Sequence, residues 1–415
     1  MGAGQTVRQP ETGEIVFPHA VGHRSVEPGE QGTKRRRATD GKAGKPLNKK
    51  ISFAGPSITE KEVEYVTDAV KNGWYENFDG YIEKLEKAFA QYVGVRYAVA
   101  TFCCTHALHL AAAALGLQAG DEVIVTDFSW VATAYAVAYT GASCVFVDIE
   151  PETWTIDPAC IRKAITRKTR AIMLVHTFGH PAEMREIMDI SREYGLFVIE
   201  DAAPAVGAEY HGKRVGGFGD VSCCSFQGAK MTVSGEGGMF LTNDPEIYRR
   251  ARLLSSMGRT DSRAVFWSDY LGFEYVMSNL TAALALAQLE RAEELMEKKR
   301  RIFHWYEERL SGVKGIRLVR EKPGCKSNCC YPSMLLEDSF YADRDDVLAG
   351  LRRKNIHARP GFPQMSRFPV FEQRFPNPVS RRVEEHGISL PSAANLEEED
   401  IDFVCRNLLR LIRRG

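Results

Sequence analysis

Between residues 97 and 242 the chain repeats one pattern, a short apolar run, a turn, and a longer helical stretch. The runs cover 97–102, 122–125, 144–147, 171–175 and 197–199, and 221–226 and 239–242 close the series. Strands separated by helices cannot pair as tight hairpins, because each crossover carries the chain back along the sheet before the next strand begins. The pattern therefore predicts an α/β fold with a seven-stranded, mostly parallel sheet flanked by helices. The runs show little polar alternation, as expected for strands covered on both faces. Upstream, Ser57-Ile58-Thr59-Glu60 followed by Val63, Val66 and Val70 predicts a capped amphipathic helix. Downstream, one long helical segment over 280–310 leads to a strand near 332–336. These features divide the chain into an extension at 1–50, a large domain at 51–285, and a linking helix with a smaller C-terminal α/β lobe at 286–415.

A length of 415 residues agrees with two lobes and an extension. The formal net charge of +0 supplies no global field to recruit nucleic acid or a membrane surface. No apolar run approaches the ~20 residues needed to span a bilayer, and the N-terminus lacks the apolar core of a secretory signal. The 10 cysteines do not form a secreted disulfide framework in a chain this long, so a reducing cytoplasm is the expected location. Cys103-Cys104 and Cys223-Cys224 sit in apolar stretches and read as small buried thiols. Cys325, Cys329 and Cys330 have no second ligand cluster at zinc spacing, so no metal is expected. Residues 1–50 are rich in Gly, Pro and charge, show no helical or strand period, and are expected to be a disordered basic extension. Its Lys34-Arg35-Arg36-Arg37 run is also the pattern of a nuclear or polyanion-binding signal.

Open parallel sheets bind ligands beyond the carboxyl ends of their strands. That rule gathers Thr105, Trp130, Asp201 and Lys230 around one crevice, each at or just after the end of a separate run. Lys230 ends Ser225-Phe226-Gln227-Gly228-Ala229-Lys230 and is followed by Gly235-Glu236-Gly237-Gly238. Most lysines are solvated surface residues, but this one follows an apolar run, beside glycines that let backbone approach a bulky planar ligand. An amine in that setting loses its proton readily and then attacks an aldehyde. Asp201 would suit a helix cap on its own. An acid that keeps a pyridine nitrogen protonated, paired with a Schiff-base lysine, is also the minimal set for pyridoxal 5′-phosphate (PLP). The step Cys103-Cys104-Thr105 offers N–H groups at a helix N-terminus for a phosphate, and Ser225 adds a hydroxyl. Trp130 offers a face for the cofactor ring, with ordinary core packing as its other use.

These segments, from Ile51 to about Ile412, resemble the DegT/DnrJ/EryC1/StrS sugar aminotransferases. Cys104-Thr105-His106-Ala107-Leu108-His109-Leu110 is similar to that family's phosphate-binding turn, and Gly120-Asp121-Glu122-Val123-Ile124-Val125 to the strand after it. Ser129-Trp130-Val131-Ala132-Thr133-Ala134 resembles the cofactor-stacking loop. Phe146-Val147-Asp148-Ile149, Val175-His176-Thr177-Phe178-Gly179-His180, Ile199-Glu200-Asp201-Ala202-Ala203, the Lys230 segment and His386-Gly387-Ile388-Ser389-Leu390-Pro391 follow in register. The resemblance implies the PLP-dependent transferase fold of type I, similar to aspartate aminotransferase. It implies that Lys230 holds PLP and moves protons, that Asp201 pairs with the pyridine nitrogen, and that Trp130 covers one ring face. Cys104, Thr105 and Ser225 would hold the phosphate. It further implies a homodimer with active sites at the subunit interface, and amino transfer, usually from glutamate, to a nucleotide-linked keto sugar. A keto-cyclitol is the acceptor in some branches.

The sequence departs from the family at two places. Glu274, in Leu271-Gly272-Phe273-Glu274-Tyr275, stands where many relatives have an Asn that reaches the neighbouring subunit's PLP phosphate. A glutamate cannot donate to a phosphate and would repel it, so Glu274 is expected to turn away or the contact to be made differently. Pro204 replaces a Gln or His often found three residues after the aspartate. A branch that dehydrates sugars carries histidine in place of the lysine, so Lys230 favours transamination. A non-catalytic, sugar-sensing relative is the alternative class, supported by Glu274 and the basic extension alone. For substrate contacts the candidates are Asn72-Gly73-Trp74-Tyr75-Glu76-Asn77, which also reads as a turn closing the first helix, and Arg359-Pro360-Gly361-Phe362, whose arginine suits a phosphate or a donor carboxylate. His176 and His180 are read as shaping the cleft or satisfying backbone groups.

Overall fold

Helices α1 (Glu60–Asn72) and α2 (Gly80–Val93) precede strand β1 (Tyr97–Thr101). Strand and helix then alternate through α3 (Cys104–Ala114), β2 (Glu122–Thr126), α4 (Ala132–Ala138), β3 (Ser143–Val147), α5 (Pro158–Ala164), β4 (Thr169–Val175), α6 (Met184–Tyr194) and β5 (Phe197–Asp201). Two short strands, β6 (Glu209–Tyr210) and β7 (Lys213–Arg214), come before β8 (Val221–Ser225) and β9 (Gly238–Thr242). Helices α7 (Pro245–Ser255), α8 (Asn279–Leu289) and α9 (Ala292–Leu310) follow. The remainder runs β10 (Ile316–Leu318), β11 (Cys325–Lys326), β12 (Ser333–Leu336), α10 (Arg344–Arg353), β13 (Arg359–Pro360), α11 (Pro378–His386), β14 (Gly387–Ser389) and α12 (Glu398–Ile412). This computed structural model describes residues 49–260, 267–337 and 343–412, so nearly all of the expected extension at 1–50 lies outside the described residues.

The expected sheet is present, in the order β1-β9-β8-β5-β4-β2-β3. Strands β8, β5, β4, β2 and β3 pair in parallel, while β9 runs antiparallel to both β1 and β8. That reversal places the first residue of β9, Gly238, beside the last residues of β1 and β8, Thr101 and Ser225. Alternation along the strands feeds two cores. Val123, Val125, Met173 and Ile199 pack with α3 on one face, and Ile124, Ile172, Leu174 and Val198 pack on the other. A second, antiparallel sheet, β10-β12-β14-β13, packs on Ile302, Tyr306, Leu351, Val404 and Leu408 from α9, α10 and α12. A small third sheet has the order β11-β6-β7. Phe53, Phe128, Trp154, Phe178, Tyr331 and Leu335 form an apolar cluster of their own, drawn from segments far apart in sequence.

Three local expectations differ from the structure. The capping box of α1 lies two residues later than the sequence reading: Thr59 N–H donates to Glu62 Oε2 at 2.7 Å and the Thr59 hydroxyl to the same oxygen at 2.6 Å. Val63 and Val70 are exposed, and the buried residues of α1 are Glu62 and Ala69. Glu62 is buried because Arg291 and Gln288 donate to its Oε1 at 2.5 and 2.6 Å. That contact also accounts for the third difference, since the helix expected over 280–310 breaks between α8 and α9 at Glu290 and Arg291. The break lets Arg291 meet the carbonyl and hydroxyl of Ser57, each at 3.0 Å, as well as Glu62. All 10 cysteines are free. Among the described residues no helix is long and apolar enough to cross a membrane.

Candidate active site

Strands β1, β8, β5, β4 and β2 end at the same edge of the sheet, and the chemistry-bearing residues follow from those ends. Helix α3 starts three residues after the end of β1, with Cys103 at its N-cap making no side-chain hydrogen bond. Its first N–H groups are the orphan donors every helix carries, and they point out of the sheet edge with the positive end of the helix dipole. Gly238 brings β9 against this turn: a Cβ there would lie 2.6 Å from the Cys103 carbonyl carbon and oxygen and from the Cys104 nitrogen. Ser225, paired with Gly238, is buried, and its oxygen accepts from Gln227 N–H at 3.3 Å, which leaves its proton free to donate. Burial pushes the Cys104 thiol well above the ordinary cysteine value, so it stays protonated and presents no negative charge to an anion at the turn.

Two adjacent acids at the end of β5 face opposite ways. Glu200, fully buried, accepts from the N–H groups of Gly216, Phe218 and Gly219 at 2.6 to 2.7 Å. It also meets His176 Nε2 at 2.9 Å. Burial alone would raise the Glu200 carboxyl, but these bonds outweigh it and hold it below the usual range. Ala182 N–H donates to His176 Nδ1 at 3.0 Å, so the imidazole proton sits on Nε2 and is donated to Glu200. His180 bonds the Pro181 carbonyl at 2.7 Å and accepts from Lys322 N–H at 3.1 Å. Both histidines thus serve backbone groups and, for His176, a structural acid.

Asp201 turns to the other face, toward α3 and α4. Thr133 Oγ1 donates to its Oδ2 at 2.7 Å and Ala203 N–H to its Oδ1 at 3.1 Å. The Thr133 oxygen also lies 3.2 Å from the Trp130 carbonyl, which ties the acid to the loop carrying the indole. Burial pushes the Asp201 carboxyl above the ordinary aspartate value, against the hydrogen bonds and the nearby positive charge of Lys230. Among the described residues no arginine or lysine forms an ion pair with it. A buried acid in this condition favours a ligand that brings its own N–H⁺. Thr133 lies inside the Ser129–Ala134 segment, but nothing in its type distinguishes it there from its neighbours.

Lys230 follows β8 in a turn closed by Gly228 N–H to Gly235 O at 3.0 Å and Phe226 N–H to Gly237 O at 2.9 Å. Its Nζ lies 5.9 Å from the centroid of the Tyr331 ring, and the Tyr331 hydroxyl donates to the Ala229 carbonyl at 2.9 Å. Tyr331 was missed in the sequence because it arrives from the far end of the chain. Trp130 is 65% exposed and faces Phe362 at 6.4 Å, so one indole face is open at the edge of the site. Lys230, Asp201, Trp130, Cys104, Thr105 and Ser225 therefore all belong to one sheet edge. The 72–77 segment is a turn, with Asn279 Nδ2 3.4 Å from the carbonyls of both Gly73 and Asn77. Glu274 is exposed, and its backbone bridges to Ser256. Among the described residues no group of three or more His, Cys, Asp or Glu side chains is placed to hold a metal ion.

The donor set suits PLP, with an uncapped helix start and a hydroxyl for the phosphate, a buried acid with no ion-pair partner for the ring nitrogen, and an amine close enough to both for its charge to act on Asp201 and Cys104. Fold and site together define a PLP-dependent aminotransferase. The profile of the DegT/DnrJ/EryC1/StrS aminotransferase family matches residues 56–409, and the chain belongs to that family. It is 37% identical over 361 residues to GDP-perosamine synthase of Escherichia coli O157:H7, covering 87% of this chain and 98% of the relative. It is 38% identical over 359 residues to GDP-perosamine synthase of Caulobacter vibrioides, covering 86% and 96%. Among solved structures, the aminotransferase TlmJ of Streptoalloteichus hindustanus superposes with a TM-score of 0.84 at 28% identity, covering 88% of this chain and all of that one.

Proposed function

We propose that this aminotransferase moves an amino group from glutamate to a keto sugar carried on GDP. Similarity to two GDP-perosamine synthases over nearly their whole lengths supports the nucleotide and the sugar class. The observation that carries the chemical step is the convergence of Lys230, Asp201 and the start of α3 on one sheet edge. When bound, PLP supplies an electron-accepting ring that stabilises the electron pair released as the donor's α-proton leaves. Lys230 Nζ would be the covalent anchor of the cofactor and, when not so engaged, the base that takes the donor's α-proton and holds it for return. The Asp201 carboxylate, oriented by Thr133 and Ala203, would hold the ring nitrogen and favour its protonated form. The N–H groups of Cys104 and Thr105, with the Ser225 hydroxyl, hold the phosphate. Trp130 covers one face of the ring and limits water.

The same reading assigns cofactor binding to residues 51–285 and leaves 286–415 as a linking segment and small lobe. It makes the enzyme a cytoplasmic homodimer. Phe102, Tyr139, Met257, Tyr270 and Leu271 supply support for the dimer: they are large apolar side chains left exposed, Leu271 at 92%, and Phe102 adjoins the phosphate turn. Exposed apolar patches of this kind are usually covered by a partner. Glu274 lies on the same stretch and would then approach the second subunit.

The direct test is incubation with GDP-perosamine and 2-oxoglutarate. Formation of glutamate, matched by loss of the amino sugar, supports the reading. Glutamate formation from dTDP- or UDP-linked amino sugars but not from the GDP-linked one would contradict it.

A further inference from the structure

Helix α9 carries a lysine that does not reach solvent. Lys299 is 2% exposed. Its Nζ donates to the Ser392 carbonyl at 2.5 Å and the Ser392 hydroxyl at 3.2 Å, and reaches the Cys330 carbonyl at 3.4 Å. Three acceptors match the three N–H donors of an ammonium. Among the described residues no carboxylate pairs with Lys299, so oxygens of the chain alone hold the charge. A buried cation without a counter-ion is unfavourable. An apolar side chain of the same length would fill the space more easily but would make none of these bonds.

The bonds converge on the loop over residues 327–331. The Ser392 hydroxyl passes the contact on, donating to the Cys330 carbonyl at 2.9 Å, and Ser392 N–H donates to the Phe53 carbonyl at 2.7 Å. Cys329 sits in the left-handed region at φ 52°, uncommon for a residue with a side chain, so contacts rather than local preference hold the loop. Tyr331 comes two residues later. Its ring stacks on Phe53 with centroids 5.0 Å apart and lies 5.9 Å from Lys230 Nζ. The exposed Arg359 meets the Phe53 ring at 4.2 Å and is set apart from Lys230 by these two rings. The Tyr331 hydroxyl donates to the Ala229 carbonyl at 2.9 Å. The turn's own bonds at this point run to Gln227, which accepts from Lys230 N–H at 2.8 Å and, through its side chain, from Ala229 N–H at 2.9 Å. Tyr331 therefore ties the turn to a segment 102 residues further on.

We propose that Lys299 is a positioning residue for Lys230: it fixes the loop that presents Tyr331, and the Tyr331 hydroxyl fixes the peptide from which the Lys230 side chain leaves. The inference rests on the reading of Lys230 as the amine that carries the cofactor. An amine whose backbone support drifts is presented at the wrong angle, and attack by a misaligned nucleophile loses rate steeply.

The test has one arm without the cofactor and one with it. Hydrogen exchange of the cofactor-free protein follows the amides of residues 228–230. Lys299→Met keeps the length and removes the donors. It is expected to speed exchange there by about 10-fold or more, the scale of a bond to a charged group, while β3 at the far edge of the sheet keeps the wild-type rate. Tyr331→Phe should give a similar rise and the double variant no further one, because both changes cut the same chain of contacts. On addition of PLP, the visible absorption band should form about 10-fold more slowly in Lys299→Met than in the wild type. Ser392→Ala removes only the relaying hydroxyl; it should show a smaller change of the same kind, and it carries the test if Lys299→Met does not fold. Wild-type exchange at 228–230 in the folded variant would overturn the proposal. So would additive effects of Lys299→Met and Tyr331→Phe, or an equal rise in exchange throughout the protein. A wild-type protein that forms no visible band with PLP refutes the cofactor reading of Lys230 alone, and the exchange arm still decides whether Lys299 sets the turn.

Discussion

Thr133 Oγ1 donates to Asp201 Oδ2 at 2.7 Å, from the first turn of α4 to the last residue of β5. The bond matters because burial works against the charged form of this acid. Thr133→Val keeps the shape and removes the donor, so the carboxylate becomes still harder to ionise and loses its orientation toward the ring nitrogen. The expected result is a fall in kcat of about 10- to 100-fold, the scale of one hydrogen bond to a charged group. Cofactor content should stay near that of the wild type. Steady-state kinetics together with the PLP absorption spectrum check both.

The same acid should destabilise the cofactor-free protein at neutral pH. A carboxyl whose pKa is raised by folding favours the native state only while protonated. Its contribution is whole below the ordinary aspartate value of 3.8 and is lost as pH rises through the folded value. Asp201→Asn removes this titration. Thermal scans of cofactor-free protein should give the variant the higher Tm at pH 7, with the gap closing toward pH 4. A lower Tm for the variant at pH 7 would show that Asp201 is stabilised by its surroundings rather than strained by them.

Gly238→Ala should weaken PLP binding specifically. The added methyl meets the backbone of Cys103 and Cys104 at 2.6 Å, and backbone cannot swing aside as a side chain can. The start of α3 must then move. A rise in the PLP dissociation constant of at least about tenfold is expected, comparable to losing one charge-assisted bond to the phosphate. Fluorescence titration of cofactor-free protein measures it, and wild-type affinity would refute the phosphate assignment at this turn.

Glu62 is the counterpart case, an acid that folding makes stronger. Burial pushes its carboxyl up, but bonds from Thr59, Arg291 and Gln288 prevail and bring it to about 2. A depressed carboxyl contributes stability that is full above the ordinary value of 4.5 and is lost as pH falls through about 2. Glu62→Gln removes one of the two carboxylates that meet Arg291 at the α8–α9 break and leaves Glu294 at 3.0 Å as its ion-pair partner, so it should cost about 1 to 2 kcal/mol at pH 7. Urea unfolding should show the gap between the two proteins shrinking below about pH 4.5 as the wild-type acid gains its proton.

The sheet and the placement of Asp201 and Lys230 were legible because both depend on position relative to strand ends, which apolar runs mark clearly. Thr133, Tyr331 and Phe53 were not. Each acts through a partner distant in sequence, and a threonine or an aromatic ring carries no local sign of that partner. The valines of α1 show a different limit. Period identifies a face but not what covers it, and here the packed face is the one with Glu62. The break at Arg291 lacks any glycine or proline to announce it, since it is set by the contacts of the guanidinium with Ser57 and Glu62.

The central claim is that Lys230 is the amine that carries the cofactor. Borohydride reduction of the PLP-loaded enzyme, followed by proteolysis and mass spectrometry, locates the attachment directly. The expected result is a pyridoxyl phosphate adduct on Lys230 and no visible absorption band from a covalently held cofactor in Lys230→Ala. An adduct on a different lysine, or an undiminished band in Lys230→Ala, would contradict it.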